Sequence, residues 1–183
     1  MTQSTFIRLS GWGLVGAVVA LLLTFVPVPA AFLVAILLIT IGLFGLYIRY
    51  GAQVEQVGKI ALGVGMLGGL VGMVASLLLA IGDETWRPTM TNAMAIMFVG
   101  LLAFGLMTLR VKPMRFGNGL PVLAGLTWPL IVLNAHVRHF ATGQGSAVPF
   151  WLSFTLFAIM AFFLAWLGYV LQADVPQDSA LAK

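Results

Sequence analysis

Six runs of mostly apolar residues dominate this chain, each close to the ~20 residues that a helix needs to cross a bilayer core about 30 Å thick. They lie at about 10–28, 30–48, 58–81, 90–109, 119–137 and 150–171. The breaks between them are Pro27-Val28-Pro29, Arg49 to Gln56, Gly82 to Pro88, Arg110 to Asn118, and Arg138 to Pro149. Lipid offers no partner to a backbone amide, so such runs must satisfy their hydrogen bonds internally, as helices. Pro121 and Pro129 interrupt the fifth run, and Asn134 and His136 sit near its end. Membrane helices tolerate proline where neighbours re-satisfy the freed carbonyls. The expected fold is therefore an all-α membrane protein: one domain over 1–183, a six-transmembrane-helix bundle with short loops and a flexible tail from 172 to 183.

Composition closes the other routes. Of 183 residues, 61% are apolar and 8% charged, against about 25% charged in a soluble domain. A soluble chain this small has no core able to hide that surface, and a disordered one would not carry it. The net charge is +4, but the basic residues sit singly at run ends and form no track for phosphates, so nucleic acid is not an expected partner. The absence of cysteine excludes disulfides, thiol nucleophiles and cysteine-held zinc or iron–sulfur clusters.

Charge also orients the bundle. With the N-terminus in the cytoplasm, the inner segments hold Arg8, Arg49, Lys59, Arg110, Lys112, Arg115 and Lys183, and the outer loops hold Arg87 and Arg138. Excess Lys and Arg mark the cytoplasmic side, so both termini are expected there, in the cell (plasma or inner) membrane. Trp12, Tyr47, Trp166 and Tyr169 fall near the inner boundary, with Trp86 and Trp151 near the outer one. Arg8, an apolar run and Val28-Pro29-Ala30 mimic a signal peptide; the run is read as a retained first helix.

The third run carries the clearest packing pattern. Gly68, Gly72, Ser76 and Ala80 recur every four residues, beside a second row of Ala61, Gly65 and Gly69. Such rows let two helix backbones approach closely in lipid. In the sixth run Ala158, Ala161, Ala165 and Gly168 form one face, continued outward by Phe150, Phe154 and Phe157. Gly11-Trp12-Gly13-Leu14-Val15-Gly16 matches the G-x-G-x-x-G fingerprint, but it lies inside a span and lacks the strand that nucleotide binding requires. A faint repeat relates Phe44-Gly45-Leu46 and Arg49 to Phe104-Gly105-Leu106 and Arg110.

All charged residues map to loops, ends or tail, which argues against proton relays and ion-coupled transport. Neutral-solute passage through backbone carbonyls and hydroxyls stays open. The best polar candidates lie on the outer rim: Asp83, Glu84 and Arg87 in one loop, with Asn134, His136, Arg138 and His139 in another. His136 and His139 share a helix face, so with Asp83 or Glu84 they are candidate ligands for a divalent metal, and alone for a haem or chlorin. The expectation is nevertheless no cofactor, with headgroup contacts for these residues. Thr127, Trp128 and Pro129 mark a possible cavity, because the proline frees a carbonyl at mid-span. No set of nucleophile and base appears, so no enzyme is expected.

The run Ile41-Gly42-Leu43-Phe44-Gly45-Leu46-Tyr47-Ile48-Arg49, followed by Gly58 and the glycine-rich third span, resembles a broad group of uncharacterised small multi-helix bacterial integral membrane proteins. That resemblance implies a helical bundle and transfers no catalytic residue. The size also resembles that of vitamin-binding components of energy-coupling transporters. Three functions follow as expectations. The first is a non-catalytic accessory or assembly subunit of a larger membrane complex, with lipids and other membrane subunits, or further copies of itself, as partners. The second is a binding or transport component for a small neutral or lipid-like solute. The third is a cofactor-holding redox or pigment subunit that uses the outer histidines.

Overall fold

A computed structural model describes residues 2–25, 30–142 and 150–174, with the backbone alone at 135, 138–142 and 150. It is all-helical: α1 (Gln3–Leu23), α2 (Ala31–Tyr50), α3 (Gln56–Ala80), α4 (Arg87–Val111), α5 (Leu120–Thr142) and α6 (Phe150–Ala173), with one 3₁₀ turn at Glu84–Trp86. Five of the helices are long and apolar enough to cross a membrane, while in α5 the fully described apolar stretch, Leu120–Asn134, is shorter.

The helix ends follow local chemistry. α1 begins at Gln3 rather than near 10, because the Thr2 hydroxyl accepts from the Thr5 amide (3.4 Å) and caps a polar first turn. The turn after α3 needs Gly82 at φ +97°, and the one before α5 needs Gly117 at φ +83°, a region that side chains resist. Pro88 sits in the first turn of α4, where its missing N–H costs nothing. Pro129 lies inside α5 without ending it, and α5 continues to Thr142 rather than 137. α6 runs to Ala173, so Gln172 belongs to the helix and not to the tail expected from 172.

Consecutive helices pack side by side, and α6 returns to α1 and closes the ring. We call the end where α1 begins and α6 finishes basal, and the other apical. Among the described residues, side chains pack inside the ring. Leu14, Ile39, Leu43, Met97, Phe98, Phe104, Leu164 and Leu167 are all buried, and α2 touches α6 near the basal end. Two buried hydroxyls are spent within their own helix: Ser10 donates to Ile7 O and Thr127 to Ala124 O.

Small residues set the helix spacing. A methyl group built on Gly100 would lie 2.5 Å from Ala61 O and 2.7 Å from the Gly65 Cα, so α3 and α4 meet backbone to backbone. On α3, Gly65 and Gly68 lie against α4, Gly69 against Thr40 of α2, and Gly72 between the two, with Ser76 buried and Ala80 exposed. The closure of the ring is made the same way, because Gly11 and Gly168 face each other's carbonyls across α1 and α6. Gly13 and Gly16 approach Leu38 of α2. All three glycines of the nucleotide-like motif thus lie at helix contacts. On α6, Ala161 and Gly168 are buried, Ala165 is half-buried and Ala158 is exposed. The two halves of the faint repeat meet different surroundings: Phe44 is exposed and Phe104 fully buried.

Candidate functional site

At the apical end, both acidic candidates are engaged within their own loop. The Asp83 carboxylate accepts from the Thr85 amide (3.1 Å) and hydroxyl (2.5 Å), which holds it below the usual carboxylate range. Glu84 receives Nε and Nη2 of Arg87 at 2.8 and 2.5 Å, and both side chains are largely exposed. An exposed pair of this kind contributes about 0–1 kcal/mol. The 3₁₀ turn packs on α3 and α4. It borders an open cavity of about 360 Å³ lined by Thr24, Phe32, Ser76, Glu84, Arg87 and Met90.

His136 is exposed on α5, where its Nδ1–H donates to Val132 O at 2.8 Å. The backbone of His139 lies one turn on, and its side chain is outside the described residues. Among the described residues no three of His, Asp and Glu converge. Asn134 Oδ1 is buried without a hydrogen-bond partner.

Trp128 is buried in an aromatic cluster. It stacks on Phe98 (centroids 6.2 Å apart), meets Phe157 edge-on (5.8 Å) and lies beside Phe32 (6.0 Å). Its Nε1–H donates to Thr91 O at 3.3 Å, tying mid-α5 to the first turns of α4. Of the cavity candidates, Trp128 is thus packed among rings and Thr127 is buried.

Among the described residues, the best-connected polar group lies at the basal end, where no sequence motif pointed. Tyr50 OH donates to the Asp174 carboxylate (2.7 Å), Arg49 Nη2 donates to Asp174 O (2.5 Å), and the Arg115 amide donates to the same carboxylate (3.3 Å). Asn118 braces the adjoining loop by accepting from the Met114 amide and donating to Met114 O, while its own carbonyl accepts from Thr108. The last turn of α2, the α4–α5 loop and the end of α6 are thereby joined. The one available signal was a lone aspartate just beyond a long apolar run, which reads equally well as the start of a tail. This group holds helix ends together.

The lateral surface is apolar but uneven. Along α6, Trp151, Phe162, Trp166 and Tyr169 are exposed on one side, 47% or more in each case. Thr155 and Ala158 leave a dent of about 380 Å³ between them. Between α2 and α3 lies a deeper groove of about 470 Å³. Comparisons with protein-family models, with curated proteins and with solved structures give no match.

Proposed function

We propose that this chain is a non-catalytic accessory or assembly subunit of a larger membrane complex. It would lie in the cell membrane with both termini cytoplasmic, as the bias of basic residues indicates. The observation that carries the reading is the outward stripe of α6. Trp151, Phe162, Trp166 and Tyr169 flank a shallow dent at Thr155 and Ala158. Aromatic anchors beside small residues are what a partner helix packs against, since lipid supplies no hydrophobic drive and contact must come from fit. The side chains buried inside the ring among the described residues support the same view, because they leave the sides of the bundle as the place to act.

Native mass analysis after extraction in mild detergent tests the proposal. The expected result is a fixed-stoichiometry assembly with another membrane protein, lost in Ala158→Trp while the monomer stays folded. A wild-type monomer without partner would overturn it. The apical cavity beside Thr24 and Ser76 favours a second reading, a component that binds a small neutral solute; a monomer retaining such a molecule would support it.

A further inference from the structure

We propose that the groove between α2 and α3 is a phospholipid site: it seats one acyl chain of an anionic phospholipid, and Lys59 at its basal mouth pairs with the headgroup phosphate. The inference does not depend on the accessory-subunit reading, which concerns the outer face of α6.

The groove is lined by Leu37, Thr40 and Phe44 on α2 and by Gly63 and Met66 on α3, with Phe6 of α1 packed edge-on against Phe44. Its volume of about 470 Å³ falls within the roughly 300–1,000 Å³ of sites for small ligands. Its one hydroxyl is occupied, since Thr40 Oγ1 donates to Ile36 O at 2.8 Å. What enters therefore needs no polar group along its length. Met66 offers a flexible, polarisable wall that adapts to a chain. Gly63 is the notch, because a methyl group built there meets nothing within 4 Å.

A lipid chain fits better than a partner helix. Helices that dock in lipid use rows of small residues, and those of α3 (Gly65, Gly68 and Gly72) are already turned to α4 and α2. One outward glycine makes a notch and not a seam. The basal mouth supplies the second half of the recognition. Lys59 lies one turn from Gly63 on the same face of α3, is exposed, and has no acidic partner among the described residues. Tyr47, exposed one turn beyond Phe44 on α2, lies toward the same basal end, and tyrosine is a residue type that favours the headgroup level.

The test uses the full chain in mild detergent, offered equal amounts of dioleoyl phosphatidylglycerol and dioleoyl phosphatidylcholine, with bound lipid read by native mass spectrometry. The wild type should retain one phosphatidylglycerol in preference to phosphatidylcholine. Gly63→Leu fills the notch and should lose the bound lipid. Lys59→Gln should keep a lipid but reduce the headgroup preference by about fivefold, the factor one lysine near an anionic surface contributes. Gly63→Cys gives an independent reading that perturbs the fold less: phosphatidylglycerol should slow its reaction with a maleimide. Four results would each overturn the proposal. They are no lipid on the wild type, undiminished lipid on Gly63→Leu, an unchanged preference in Lys59→Gln, or protection of Gly63→Cys by a bound protein only.

Discussion

At Gly100 a single methyl group decides whether α3 and α4 can meet. Its neighbours there are the Ala61 carbonyl and the Gly65 Cα, backbone atoms that cannot swing aside. Gly100→Ala should therefore lower stability by about 1–3 kcal/mol, the usual cost of overpacking, despite alanine's better helix propensity. Gly72→Ala is the contrast, since its added methyl would lie 3.7 Å from Ala93 and Ile36, ordinary contact distance. It should leave stability within about 0.5 kcal/mol of the wild type or raise it. Thermal unfolding in detergent separates the two, and equal losses would mean that the α3–α4 contact is misplaced. The spacing of small residues on α3 was legible in the sequence; which of them meet backbone was not, because that depends on the partner helix and its register.

Among the elements, α6 depends most on a contact far from it in sequence. Its last turn is held by Tyr50 and Arg49 of α2 through Asp174. Tyr50→Phe removes a hydrogen bond to a carboxylate, a type worth about 1.5–3 kcal/mol. Amide hydrogen exchange over 170–174 should then quicken while that of α3 stays unchanged; uniform quickening would show a global effect instead. The existence and order of the helices could be read from hydropathy, because lipid leaves apolar runs no other fold. The Tyr50–Asp174 contact could not, since nothing local distinguishes Asp174 from the first residue of a free tail. Nor could the closure of α6 on α1: Gly11 and Gly168 are two glycines among 21, and only the fold pairs them. At the apical rim the sequence marked Asp83, Glu84 and His136, and the structure places the first two in a self-contained turn and His136 on its own helix backbone. Short-range hydrogen bonds engage both carboxylates and one ring nitrogen of His136, contacts that depend on local backbone geometry and not on residue type.

For the whole molecule, six helices in a ring place the start of α1 and the end of α6 at one end. Cysteine substitution on this cysteine-free chain checks which side that end faces. Gln144 and Gln177 lie outside the described residues, and the charge bias predicts that Gln144→Cys labels from outside. Gln177→Cys should label only after permeabilisation, and the reverse pattern would invert the topology. The account turns most on the filled interior, because an aqueous path through the ring would move the function from its sides to its centre. Ala35, Ala75 and Ala124 are fully buried on three different helices, and alanine to cysteine is a small change at each. The direct measurement is labelling of these three variants by a membrane-impermeant, water-soluble thiol reagent from either face, with Gln53→Cys in the exposed α2–α3 loop as the reactive standard. The account predicts labelling of Gln53→Cys alone, and reaction at any of the three core positions at a comparable rate would contradict it.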